Sequence, residues 1–412
     1  MLKRWLPWKF IIKRAARAYG FLDPITLLAR LRRFGHPSEV QEPIELIRAG
    51  VVFHARGLVN TRAIQYNLDW VWPFWIVKQF KPNDISFIPR GFAFSHVNLT
   101  HRNWTAVGHP DHAYYPIVDP RGLLTPYLDG WSIDVWVVSD QKGVLFPSEA
   151  GSVRQELIME DDALRVSTRT QRAGVALATT VWVEQTADGC QTHLTASAVD
   201  EQGGHLVVAV RPYNPEGIQF IDAIAFDRRQ NRFRINGHGG PRLDRTPSKV
   251  LFSNYASGDV AHHLDQAQGQ TSVACEIGMA TAAALFPIEK GRRSDISVTL
   301  PLMDAAAVQA SARGAARPTA PLRGWRRRLS ETARLNVPDE QVQFLYDAAV
   351  RTLLLLSADD AYPGPYTYKR FWFRDACLMI NAMLAIGLSQ RATRMITAFP
   401  ARQTITGYFR SQ

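Results

Sequence analysis

Tyr366-Thr367-Tyr368-Lys369-Arg370-Phe371-Trp372-Phe373-Arg374-Asp375 is the stretch on which the reading of this chain turns. Aromatic side chains lead into an Arg-Asp pair, and the pair opens an apolar run, Ala376 to Ile386, that predicts a helix. Rings of this kind stack on the flat apolar faces of a pyranose, and a planar cation beside a carboxylate takes its hydroxyls. The stretch is therefore a candidate sugar subsite. Structural roles compete with that reading: Asp375 suits an N-cap, Arg374 could pair beneath the loop, and Phe371, Trp372 and Phe373 could be ordinary core. Only 37 residues follow Asp375. That is too few to complete the domain such a helix begins, so the chain reads as the front part of a larger enzyme.

Outward from this stretch the texture is helical on both sides. Pro338, Asp339 and Glu340 suit a first turn, by fixed φ and by the macrodipole. Val342, Leu345, Ala349, Leu353 and Leu356 are expected to hold one face, and Pro363-Gly364-Pro365 ends that element. Asp375 is expected to cap a helix running to Gly387 as its C′ residue, and Ser389 to cap a third that fails near Pro400. The last two helices are joined by a short turn, the first two by a long aromatic loop. Alternating connections suit a barrel of helical hairpins whose long loops gather at one end to build a site.

Further upstream the texture changes. From about residue 85 to 300, short β-branched runs such as 131–138, 175–184, 192–199, 206–210 and 296–300 are punctuated by Gly, Asn, Asp and Pro. This pattern predicts an antiparallel sandwich. Pro73 argues against a central strand or mid-helix across Trp70, Trp72, Phe74 and Trp75, which are expected to pack between layers, with ligand contact as the alternative. The expected division is 1–36 as a basic amphipathic segment, 37–302 as a β-sandwich, 303–337 as a partly helical linker and 338–412 as an incomplete helical domain. The fold class is thus a mainly β sandwich followed by helices, α+β and multidomain.

Net charge is +11, but residues 1–36 hold nine Lys or Arg against Asp23 alone, or +8, leaving about +3 on the other 376. No nucleic-acid role is expected, since phosphate binding needs a basic face on the folded body. Two readings of residues 1–36 stay open: a segment packed on the body, or weak membrane-surface contact through residues 1–20. Cys190, Cys275 and Cys377 form no disulfide framework, and no run is apolar enough to span a bilayer. A cytoplasmic location, peripheral to the membrane at most, is expected. His109-Pro-Asp-His112 could ligate a metal but reads better as a turn.

Tyr368, Phe371, Trp372, Arg374 and Asp375, with Arg402-Gln403, the 407–412 loop and, less specifically, Arg211-Pro-Tyr-Asn-Pro-Glu216, give the chain a resemblance to the glucoamylase-like six-hairpin glycoside hydrolases. The resemblance implies a supersandwich followed by the first helices of an (α/α)6 barrel. It implies an oligosaccharide or polysaccharide substrate with α-glucosidic bonds, cleaved by inversion without metal or cofactor. Arg374, Asp375, Trp372, Tyr368, Tyr366 and Tyr408 would contact the sugar. The family's catalytic glutamates come from later loops, so no catalytic residue is assigned here and both are expected beyond residue 412. Asp359 and Asp360 are no substitute, because adjacent residues rarely reach one bond from opposite sides. A related disaccharide phosphorylase and a non-catalytic carbohydrate-binding protein are the alternatives.

Overall fold

A computed structural model describes residues 63–77, 104–302 and 324–409, apart from 65, 68, 129, 187, 188, 215, 216, 367, 368 and 370. The expectations for residues 1–36, for the greater part of the linker and for Tyr368 lie outside the described residues.

Among the described residues, two antiparallel sheets pack face to face. The first has eight strands. Its path runs Thr105–Ala106, Ile117–Val118, Leu124–Thr125, Ser132–Ser139, Gly204–Arg211, Thr281–Ile288 and Lys249–Ser253, with Gly143–Leu145 paired to Ser132–Ser139. The second has nine strands. They run Ser272–Ala274, Ala223–Asp227, Arg232–Ile235, His238–Leu243, Arg293–Pro301, Gly189–Asp200, Val175–Thr186, Leu164–Arg172 and Val153–Met159. Every predicted β run is a strand, usually longer than predicted.

The sheets differ in burial for a reason written in their sequences. Gly189–Asp200 alternates half-buried and buried residues without a break, as a strand with one covered face must. Leu206 to Val210 is instead a continuous apolar run, and all five residues are fully buried. Its inner face meets the second sheet. Its outer face lies under Val71, Val260 and Leu264. Register here depends on Gly204, whose φ is +154° and where a Cβ would stand 2.0 Å from the Val138 carbonyl oxygen. Trp70 and Trp72 are buried, as expected, and the Trp72 ring lies tilted against that of Tyr213, with 5.5 Å between centroids.

The strand end at Arg211 carries a buried ion pair. Arg211 and Asp259 have fully buried side chains and meet through two parallel contacts, with Nη1 donating to Oδ1 at 2.6 Å. The Arg211 Nε donates to the Tyr213 hydroxyl and Nη2 to the Val71 carbonyl. Burial by itself would raise the Asp259 carboxyl; the guanidinium beside it holds it below the usual carboxylate range.

Apart from one turn that precedes the strands, the helices follow the sandwich. With α1 as the single turn Phe74–Val77, they are α2 (Gly324–Ser330), α3 (Glu340–Leu355), α4 (Phe373–Ala385) and α5 (Ser389–Ala398). Asp339 caps α3, its Oδ1 accepting from the Gln341 and Val342 amides. At the end of α4, Gly387 takes φ +88°, the Leu388 amide donates to Met383 O and the Gly387 amide to Leu384 O. That is the Schellman arrangement, completed by the buried pair Met383 and Leu388.

Three expectations are corrected. Trp372, not Asp375, is the N-cap of α4. The helix starts earlier because Phe373 packs on Phe399 and Phe409, at 4.6 and 4.8 Å between ring centroids. Leu388, not Ser389, caps α5. The face chosen for α3 is largely the outer one: Val342 and Leu345 are 46% and 57% exposed, while Val350, Leu354 and Leu355 are buried. A helix apolar nearly all round offers two stripes, and periodicity does not say which one the body covers.

Candidate functional site

The site is built where the helices meet the sandwich. Asp111, in the sandwich loop, sits between two guanidinium groups, Arg328 of α2 at 2.6 Å and Arg391 of α5 at 3.3 Å. Arg391 also donates to Leu354 O, Ser357 Oγ and Pro110 O. Trp325 of α2 is buried and bonds Gly108 O. This joint fixes α2, α5 and the end of α3 against one β loop. The His109-Pro-Asp-His112 turn thus works through its aspartate. His109 is buried, its Nδ1 accepts the Asp111 amide, and burial lowers its pKa to about 4. Among the described residues no cluster of metal ligands occurs.

From Ser357 the chain enters a long loop that ends at Trp372, and it is pinned along its length. Arg394 donates to Ser357 O and Ala358 O. Asp359 accepts the Tyr362 hydroxyl at 2.9 Å. Burial first, and then the Asp359 charge, push the Tyr362 phenol well up, so it stays a donor. Asp360 pairs with Arg402, whose guanidinium lies 3.7 Å from the Phe371 ring centroid. The two adjacent carboxylates therefore serve two different partners within the fold.

Of the six candidate contact residues, Arg374 and Asp375 stand on the first turn of α4. The Arg374 side chain is 84% exposed, that of Asp375 28%, and their charged groups are 3.4 Å apart. Asp375 occupies the third helical position, where the macrodipole favours a carboxylate. Trp372, just before them, is half-buried. Tyr408 is 65% exposed in a small turn closed by the Thr404 amide bond to Tyr408 O. Its neighbour Phe409 packs on Phe373, which brings that turn to the same end of α4. Tyr366 is different. It is 4% exposed, packs edge-on to Trp104, and its hydroxyl accepts from the side-chain amide of Asn214.

Asn214, Lys369, Asp111 and Arg391 are the residues that sequence reasoning missed as parts of the site. Asn214 lay within a quoted motif, Arg211 to Glu216, and that was its one signal. Lys369 and Asp111 also lay within singled-out stretches, 366–375 and 109–112, but their partners, like those of Arg391, are more than 200 positions away in the chain, and no local pattern names them.

The fold defines a class: a mainly β sandwich with helices docked on its edge and a pinned loop between them. No protein-family model matches the sequence, and no curated protein sequence matches it. Among solved structures, a bacterial glucoamylase in complex with acarbose is similar at a TM-score of 0.48 and 11% identity, over 74% of this chain and 53% of that one. A candidate kojibiose phosphorylase from the human microbiome is similar at a TM-score of 0.25 and 6% identity, over 56% and 30%. The chain thus spans about half the length of that glucoamylase.

Proposed function

We propose that this chain is the saccharide-binding front part of a glycoside hydrolase acting on α-glucosidic bonds of glucans or oligosaccharides. The observation that carries the reading is the placement of Arg374 and Asp375. They stand side by side on the first turn of α4, out of the core, with half-buried Trp372 at their base. A planar cation and a carboxylate beside an aromatic face form a set that binds vicinal hydroxyls while a ring covers the sugar's apolar face. The resemblance in motif favours an inverting enzyme of the six-hairpin type, in which α3, α4 and α5 would begin the helical barrel.

A second reading, saccharide binding without hydrolysis, has its own support. Asp359 and Asp360 are engaged by Tyr362 and Arg402, so neither is assigned to catalysis. Calorimetric titration with acarbose and maltotetraose tests both readings. Binding by the wild type, weakened roughly 10- to 100-fold in Arg374→Ala and in Asp375→Ala, is expected. Equal binding by all three proteins would refute the site. Release of glucose from maltotetraose by the protein as its native host makes it separates the hydrolase from the binding protein.

A further inference from the structure

Lys369 lies six residues before Asp375 in the pinned loop, and its side chain crosses to the sandwich. Nζ donates to Ala113 O. It stands 4.0 Å from the Tyr115 ring centroid, 5.0 Å from Tyr362 and 5.5 Å from Tyr114. All three distances fall within the reach of a cation–π contact. Two of the rings belong to the sandwich loop and one to the site loop. Tyr115 is 6% exposed, and its Cβ packs closely on Gly108, where an added Cβ would meet it at 2.8 Å. Tyr362 is oriented by its hydroxyl bond to Asp359. The ammonium is therefore seated in a prebuilt cage that spans the sandwich and the loop.

The backbone around Lys369 passes that seat on to the site. Its amide donates to Tyr366 O, and Tyr366 is in turn held by Asn214 of the sandwich. Three residues later the Trp372 carbonyl accepts the Ala376 amide and α4 begins. A pin at Lys369 thus leaves little slack before the first turn that carries Arg374 and Asp375.

We propose that Lys369 is a positioning residue for the saccharide site: the sandwich captures its ammonium, and that capture sets where Trp372, Arg374 and Asp375 stand. The proposal rests on the sugar reading given above. It makes the β half a template for a site carried by the helical half. Charge matters here as well as length. Arg keeps a cation that stacks on aromatic faces, whereas Met keeps the stem and loses the cation.

The test compares the full-length wild type, Lys369→Met, Lys369→Arg and Tyr362→Leu by hydrogen exchange and by calorimetric titration with maltotetraose. Lys369→Met is expected to speed exchange of the Ala376 amide about tenfold and to weaken maltotetraose binding about tenfold. The Val208 amide, deep in the sandwich, serves as the control and should not change. Lys369→Arg should restore both quantities to within about threefold, and Tyr362→Leu should move both in the direction of Lys369→Met. Unchanged Ala376 exchange in Lys369→Met overturns the pin. Faster exchange with wild-type affinity overturns the positioning role. A wild type that takes up no maltotetraose overturns the sugar reading and the saccharide half of this proposal, while Ala376 exchange still decides whether Lys369 holds the loop.

Discussion

Replacing Asp119 by Asn should remove most of a pH dependence that the sandwich carries near neutrality. Asp119 is 2% exposed. Its Oδ1 accepts the Arg121 and Leu123 amides at 2.8 and 2.9 Å, while Oδ2 is buried without a hydrogen-bond partner. Burial raises its pKa to about 7; the two amides oppose the rise and the nearby Asp134 charge adds to it. Asp134, also buried, is raised by burial to about 6. Both folded values lie above the unfolded one, so the folded state holds the protons more tightly. The stability this confers is full below the unfolded pKa and is lost as pH rises through the folded one. Between pH 5 and pH 8 the Asp119 proton accounts for a loss of about 3 kcal/mol and the Asp134 proton about 1 kcal/mol. Asn retains the oxygen that caps the turn and cannot ionise. Urea unfolding followed by tryptophan fluorescence at the two pH values should therefore show the wild type losing about 4 kcal/mol from these groups and Asp119→Asn losing about 1 kcal/mol. Parallel pH profiles for the two proteins would refute the argument, for they would mean that Asp119 is ionised in the fold at pH 5.

Other outcomes follow from the same contacts. Asp259→Ala leaves the Arg211 guanidinium buried without its counter-ion and should cost roughly 3–5 kcal/mol in urea unfolding; a loss below 1 kcal/mol would mean that water reaches the pair. Asp375→Ala should weaken maltotetraose binding roughly 10- to 100-fold, the loss of a charge-assisted hydrogen bond, with a melting temperature close to wild type. A matching fall in melting temperature would give Asp375 a structural role instead. Gly387→Ala should destabilise by about 1–2 kcal/mol, since its φ of +88° strains any Cβ. Leu345 and Leu378 are 57% and 66% exposed on the helices, so changing both to Glu should reduce light scattering of the concentrated chain; unchanged scattering would mean that these two side chains drive no self-association.

The sequence by itself determined the succession of a β half and a helical half. Alternation in 192–199 and the continuous apolar run 206–210 are local, and a strand shows its burial in its own side chains. Turn chemistry was legible in part: Gly387 ends α4 because the Schellman turn needs a left-handed residue, and Asp339 marks the start of α3, though as a cap whose carboxylate reaches two orphan amides and not as a first-turn residue, while α4 and α5 are capped by Trp372 and Leu388 and not by Asp375 and Ser389. The Arg374-Asp375 pair was visible for the same reason, as neighbours on one turn. Tertiary structure alone decided which stripe of α3 is covered, because Leu345 and Leu354 are equally apolar and only the docked sandwich edge distinguishes them. It also decided that Tyr366 lies in the core under Asn214, that Asp111 joins Arg328 to Arg391, and that Lys369 is seated among Tyr114, Tyr115 and Tyr362. Apart from the Lys369–Tyr362 contact, each of these is a hydrogen bond, an ion pair or a ring contact between residues far apart in the chain. Such interactions need a specific distance and direction in space, and spacing along the chain carries neither.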